Sequence, residues 1–385
     1  MKKRVCVVGP LPPPMGGDAK ALQTLLDSAS FKGHLSARTI DISDGKLRSA
    51  GGRVFAASKI RKILESAIAL RRVARESRPD LYYLLIAQSA AGSLRDLLFL
   101  WVIRSHMNRD ARVILHLHGG GFRGFYRSAP KLLQGRIRRS FGQVDASIVL
   151  SPCLVDMFEG ILPESKVFVV PNGVDNGNLL SEADLRAKME GGANRHATTF
   201  LYLSNMIKAK GYTDVLAAAV CVCRERSDCS VVFAGPFPDE PERRSFVAAI
   251  ASADMGDRIS YVGVVDGEQK YELLRDSDVF VLPTYFFNEG QPISILEAMG
   301  AGMPIITTRH GAIPDMVIDG VNGVFVRKQD PAHIADVMRR FCDERDAVKR
   351  IGLANRAKVM ECFTEAQYAS AMVELFLSVM AARDS

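Results

Sequence analysis

Short apolar runs alternate with longer stretches of helical periodicity along almost the whole chain. Residues 5–8, 80–87, 112–117, 147–150 and 167–170 are strand-length runs bounded by Gly, Pro or polar residues. Between the first two, residues 60–77 repeat apolar positions at helical spacing. Ile60, Ile63, Leu64, Ala67, Ile68 and Val73 fall on one face, and Lys59, Arg61, Lys62, Arg71, Arg72, Arg75 and Arg78 on the other. Buried strands separated by amphipathic helices predict a parallel sheet covered on both faces.

The alternation breaks at residues 181–196, which are polar and charged and contain Gly191-Gly192, and restarts at residues 200–203. Apolar runs at 231–234, 259–262, 279–282, 304–307 and 323–326 complete a second set. The pattern therefore predicts a first α/β domain over 1–180, an interdomain segment over 181–196 and a second α/β domain over 197–363. A last helical segment, 364–385, has no strand after it. The length of 385 residues agrees, being too great for one ordinary core. Two such domains would leave a cleft between them, the usual place for a ligand.

Composition adds limits. With 48% hydrophobic and 24% charged residues the chain has the balance of a globular protein, and no apolar run approaches the ~20 residues of a membrane helix. Met1-Lys2-Lys3-Arg4 resembles the start of a signal peptide, but residues 5–8 are too short for its apolar part and Pro10 to Pro14 end it. A cytoplasmic address is expected. The seven cysteines show no C-x2-C pair, and Cys221-Val222-Cys223 lies in an apolar helix, so core thiols are expected. Charge is uneven: the first 180 residues carry 27 Lys and Arg against 14 Asp and Glu, the rest 23 against 29. A basic half suits an anionic ligand or lipid surface; the aromatic interleaving of a nucleic-acid binder is missing.

The most informative segment runs from Phe287 to Pro304. Pro292 suits the first turn of a helix, which leaves Glu289 in the preceding loop and Glu297 inside a largely apolar helix. A buried carboxylate needs hydrogen-bond donors. A sugar or ribose diol offers two, while the plainer reading is an ion pair with an Arg elsewhere in the chain. The spacing of the two glutamates, the run Pro-Ile-Ser-Ile-Leu-Glu-Ala-Met and the following Gly-x-Pro-Ile-Ile-Thr-Thr resemble the E-x7-E segment of the retaining glycosyltransferases of family four. The resemblance covers nearly the whole chain. It implies the GT-B fold: two Rossmann-like parallel-sheet domains facing a central cleft, with a C-terminal helix crossing back to the first.

The resemblance also implies roles. Glu297 would hold the ribose diol of a nucleotide-diphospho-sugar of UDP or GDP type, Lys210 its diphosphate, and Glu289 the sugar hydroxyls. Amides at Gly290, Gln291 and Ile293, at a helix N-terminus, would stabilise the leaving diphosphate. Tyr261-Val262-Gly263-Val264 would line the base with backbone, Val262 foremost. Gly16 and Gly17, at the first strand–helix turn, would face the diphosphate; by itself a Gly-Gly pair there is as readily a tight turn, and it departs from G-x-G-x-x-G. In His116-Leu117-His118, His118 matches the histidine beside the transferred sugar, and His116 is expected to turn to the other face as a structural residue. Pro171-Asn172-Gly173-Val174-Asp175 matches a junction element whose role can be purely structural. Asn205 stands where many relatives carry Arg, so it can donate a hydrogen bond but brings no charge.

Asp276-Ser277-Asp278 is a turn rather than a metal clamp, so no metal and no cofactor beyond the donor sugar is expected. The expected activity is metal-independent transfer with retention, in surface or exopolysaccharide synthesis. Arg123, Arg127, Lys131, Arg136, Arg138 and Arg139 mark the first domain for a glycan or lipid-linked acceptor, with a peripheral hold on the inner face of a membrane. A non-catalytic GT-B subunit and a sugar-nucleotide 2-epimerase are the alternatives.

Overall fold

The computed structural model describes residues 2–13, 16–43, 53–191 and 197–382, of residues 53–57 the backbone only. Pro14 and Met15 of the first glycine loop, residues 192–196 of the expected interdomain segment and the last three residues lie outside this set. The chain divides into two compact units, one of residues 1–173 with 365–385 and one of residues 174–364.

The first unit is built on β1 (Lys3–Gly9), β2 (Leu35–Asp41), β3 (Leu81–Leu85), β4 (Arg112–Leu117), β5 (Ala146–Val149) and β6 (Val167–Val169). They form one sheet in the order β2-β1-β3-β4-β5-β6, and every pairing is parallel. The central strands are buried along their length, as their unbroken apolar runs require. β2 is an edge strand with only Leu35 and Ile40 buried, which is why its sequence, LSARTID, carries no continuous apolar signal. The helix Glu365–Ala381 belongs to this unit. Its Tyr368, Met372, Val373 and Phe376 share a core with Val5 and Val7 of β1, Tyr83 of β3 and Leu22 and Leu25 of the helix Gly17–Asp27.

The helix Arg53–Glu76 turns differently from its sequence pattern. Ser66, Ala67, Leu70 and Ala74 are buried, whereas Ile60, Leu64 and Ile68, expected to face inward, are 60%, 53% and 62% exposed. Small residues allow the close approach to the helix Ala90–His106 packed against it, so the larger aliphatic row is left outside.

The second unit holds β7 (Thr198–Leu203), β8 (Cys229–Ala234), β9 (Ile259–Tyr261), β10 (Val279–Leu282), β11 (Ile305–Thr307) and β12 (Gly323–Phe325). Their order is β12-β11-β10-β7-β8-β9, again all parallel. Two parallel six-stranded sheets wrapped by helices make the fold α/β of GT-B type.

The expected interdomain segment is corrected. Residues Glu182–Gly191 are a helix of the second unit. Ser181 Oγ accepts from Asp184 N at 3.0 Å and donates to its carboxylate at 2.6 Å, which caps the helix start. Lys188 is buried and its ammonium donates to the carbonyls of Leu274 and Ala301, both at 2.8 Å. Polar, charged residues here are those of an amphipathic helix rather than of a linker. All seven cysteines are free; Cys223 is a core thiol as expected, but Cys221 is exposed.

Candidate functional site

In a doubly wound sheet, ligands gather beyond the carboxyl ends of the strands where the strand order reverses. In the second unit that reversal lies between β7 and β10. β7 ends at Leu203 and is followed by the loop carrying Asn205 and Lys210; β10 ends at Leu282 and is followed by the loop carrying Glu289. The two loops are tied together, since Tyr285 N donates to Ala209 O at 2.8 Å. Gly211, which starts the next helix, has φ +82°, and a side chain there would meet Pro283 of the β10 loop at 2.8 Å. A glycine is therefore required for the approach.

At this point Lys210 Nζ lies 3.4 Å from Glu289 Oε2 and 5.7 Å from the centre of the Phe286 ring. Thr284 Oγ1 donates to the same carboxylate oxygen at 2.9 Å. Glu289 is buried, and its loop is closed from behind by Gly311, where a Cβ would come 2.4 Å from the Glu289 carbonyl. Gly290 O accepts from Ala312 N at 3.0 Å, and the helix Ile293–Gly300 starts directly after Pro292. Gly290, Gln291 and Ile293 thus lie at its N-terminal end, with Gly290 and Gln291 buried and Ile293 half-buried.

Glu297 lies on the same helix and is 4% exposed. Its Oε1 accepts from Lys270 Nζ at 2.5 Å and from Asn178 Nδ2 at 2.8 Å. Burial pushes its carboxyl above the ordinary range; Lys270 and then Asn178 pull it back, and the charge of Asp175 adds to the rise. The expectation of either a diol or an Arg is amended: the partner present is a lysine. Neither Lys270 nor Asn178 stood out in the sequence. Lys270 is one cation in a polar helix, Gly267–Asp276, and Asn178 follows Asp175, which caps the short turn Asn176–Asn178 by accepting from Gly177 N at 2.9 Å.

The Asn205 side chain is exposed. Val262 is 49% exposed, and its N–H donates to Phe233 O at 3.0 Å, so that donor is committed to the sheet. The loop after β8 lies between theirs: Gly235, with φ +137°, approaches Ser204 O so closely that a Cβ would lie 1.8 Å from it, and its N–H donates to Gly263 O at 2.7 Å. Asp278 Oδ2 accepts from Thr199 N at 2.8 Å, and Asp276, the last residue of the helix Gly267–Asp276, pairs with Arg275.

In the first unit, Gly16 and Gly17 begin the helix after β1, and His118 follows the end of β4. A side chain at Gly16 would meet the Asp18 carboxylate at 2.8 Å. His116 does not turn away from His118, contrary to expectation. Residues two apart in an extended segment share a face, and the two rings lie 4.0 Å apart at 35°. Tyr83 Oη is 2.5 Å from His116 Nδ1, while Nε2 of each histidine is sealed from solvent and has no hydrogen-bond partner among the described residues. Burial pushes the His118 ring down to about 4, against the opposing pull of Asp18, and His116 is held well below its ordinary range for the same reason, with His118 adding to it. Of the expected acceptor cations, Arg123 is already engaged by Asp156 and Glu159, and Arg127 lies 3.2 Å from Glu159. Lys131, Arg136, Arg138 and Arg139 are exposed.

The fold and this arrangement define a GT-B protein, and comparison with known proteins carries the assignment further. Residues 186–358 match the family model of glycosyl transferases group 1, and residues 33–177 that of Glycosyltransferase Family 4. The fold is that of a GT-B protein, and these two segments are similar to the two families. The chain is 25% identical over 249 residues to N-acetyl-alpha-D-glucosaminyl L-malate synthase of Bacillus anthracis, covering 64% of this chain and 63% of that protein. It is 32% identical over 228 residues to D-inositol 3-phosphate glycosyltransferase of Streptomyces avermitilis, 56% of this chain and 48% of the relative. Over 121 residues it is 30% identical to the amylovoran biosynthesis glycosyltransferase AmsK of Erwinia amylovora, 30% of each. The matched regions thus span less than two thirds of each of these relatives. Among solved structures, Anabaena HepE in complex with UDP superposes with TM-score 0.72 at 16% identity, covering 98% of this chain and 100% of that one. Sucrose-phosphate synthase of Thermosynechococcus elongatus gives 0.74 at 20%, covering 99% and 100%. These two likenesses are of fold.

Proposed function

We propose that the chain is a glycosyltransferase that moves a sugar, with retention and without a divalent metal, from a nucleotide-diphospho-sugar to a saccharide or lipid-linked acceptor. The observation that carries this reading is the buried pair Lys210–Glu289 at the strand-order reversal, with Glu297 in the helix that follows. A cation beside a helix N-terminus suits a diphosphate, and a buried carboxylate held by donors suits a diol. Lys210 binds the diphosphate, Glu297 the ribose diol and Glu289 the sugar hydroxyls. Amides at Gly290, Gln291 and Ile293 stabilise the leaving group, and backbone around Val262 faces the base. With Asn205 uncharged, either Lys208 compensates beside Lys210 or the phosphate is held less tightly. In the first unit, the buried, neutral His118 ring suits a hydrogen bond to a sugar hydroxyl, and Gly16 and Gly17, at a helix N-terminus, suit the close approach of a phosphate.

A role in surface or exopolysaccharide synthesis is supported by the resemblance to a glycosyltransferase of amylovoran biosynthesis. UDP or a close analogue is favoured as the nucleotide, because HepE, of the same fold, has been crystallised with UDP and with UDP-glucose. The basic first half and the exposed row Ile60, Leu64 and Ile68 favour a peripheral hold on an anionic membrane; among the described residues no helix is long and apolar enough to cross one.

A thermal-shift panel of UDP, GDP, ADP, CMP and TDP, with and without Mg²⁺, tests the reading. One nucleotide at a hundred times its Kd stabilises by about 2.7 kcal/mol, or roughly 5–10 °C for a unit of this size. The shift is expected to be independent of Mg²⁺ and lost in Glu297→Ala. No shift with any nucleotide refutes the site and leaves a non-catalytic subunit in its place; a shift that requires Mg²⁺ refutes the metal-free part.

A further inference from the structure

Glu297 has two carboxylate oxygens, and among the described residues only one is engaged. Lys270 and Asn178 both donate to Oε1, while Oε2 accepts no hydrogen bond among the described residues. The two donors come from separate elements, the helix Gly267–Asp276 and the turn Asn176–Asn178, which pack against each other. Both are in the same unit as Glu297, so the arrangement does not depend on the first unit.

We propose that Lys270 and Asn178 are positioning residues for nucleotide recognition: they saturate Oε1, hold the Glu297 carboxylate ionised in its buried place, and leave Oε2 to accept the ribose diol. This rests on the donor-nucleotide reading above. A protonated carboxyl would present one hydroxyl donor where the diol requires acceptors, so the charge on Glu297 matters as much as its direction. The other charged groups around it do not supply the missing cation. Asp175 opposes ionisation. Arg356, from the helix Arg345–Cys362 packed on the Glu297 helix, donates to the carbonyls of Gly300 and Leu180 and to Glu182. Lys270 is therefore the cation that keeps Glu297 charged, and Asn178 fixes the rotamer without adding charge.

The test uses the full chain and two ligands: UDP or GDP, whichever stabilises the wild type in the thermal-shift panel, and its 2′,3′-dideoxy analogue. Affinities are measured at pH 6 and pH 8 for the wild type, Lys270→Met, Lys270→Arg and Asn178→Ala. The wild type is expected to bind the ribonucleotide equally at both pH values. Lys270→Met should bind it several-fold more weakly at pH 6 than at pH 8, because without the cation burial pushes the Glu297 carboxyl further up. Lys270→Arg should restore the flat profile. Asn178→Ala should weaken binding at both pH values alike. With the 2′,3′-dideoxy analogue, all four proteins should bind alike at each pH, which also shows that each variant is folded.

Wild-type affinity in Lys270→Met at both pH values overturns the proposal, and so does an equal loss for the ribo- and dideoxynucleotide, which would place Lys270 on the phosphates. If the wild type binds neither UDP nor GDP, it is the donor reading itself that has failed.

Discussion

Lys188 offers a direct check on how the second unit holds its site in place. Its ammonium is buried and donates to Leu274 O, in the last turn of the helix that carries Lys270, and to Ala301 O, which follows the helix that carries Glu297. Carbonyls at helix C-terminal ends have no partner within their own helix and carry partial negative charge, so a cation there satisfies both needs. Lys188→Met keeps the bulk and removes both donors. Each buried acceptor left without a partner costs about 1–3 kcal/mol, and the lysine's own desolvation cost, relieved in the variant, offsets part of the total. A net loss of about 3 kcal/mol is expected, which corresponds to roughly 6–12 °C in Tm for a unit of this size. Thermal unfolding of the intact chain followed by circular dichroism measures it. A Tm within about 2 °C of wild type would refute the idea that Lys188 ties the two helix ends together.

Two further outcomes follow from the first unit. His118 should stay neutral through the physiological range, because burial holds its ring near 4 instead of the usual 6.5. Between those values the unfolded chain takes up a proton that the folded one refuses, so stability should fall as pH drops from about 6.5 to 4 and level off below. His118→Gln should flatten that slope, with His116 supplying what remains, and an NMR midpoint near 6.5 for the His118 ring would contradict the burial argument. The chain should also sediment with anionic but not neutral liposomes at low salt, each basic residue near the surface adding about 1 kcal/mol. Leu64→Glu, in the exposed aliphatic row, should weaken that binding, and equal recovery on both lipids would remove the electrostatic reading.

How far the sequence could be read depended on whether burial was continuous or shared. Strands such as β3 and β10, buried on both faces, are plain apolar runs and were found in place. β2 was missed because an edge strand with only two buried residues looks like a loop. The helix Glu182–Gly191 was missed because its buried cation, Lys188, suggests solvent until its two carbonyl partners are known. The inner face of the helix Arg53–Glu76 was assigned by apolar spacing, and of that row Ala67 is buried, whereas packing turned Ser66, Leu70 and Ala74 inward in place of Ile60, Leu64 and Ile68. At the site, Glu289, Lys210 and Glu297 were visible through a resemblance in spacing. Lys270 and Asn178 come from two other places in the chain, and only the fold brings them to Glu297.

The placement of the helix Glu365–Ala381 in the first unit bears on the order in which the protein can be made. Synthesis runs from the N-terminus, so a nascent chain that has reached Thr364 already holds every residue of the second unit, an unbroken stretch from Val174. The first unit, although started earlier, still lacks the helix that covers Val5, Val7 and Tyr83. The part translated first is thus the part completed last, and its apolar face stays uncovered while almost two hundred further residues are added.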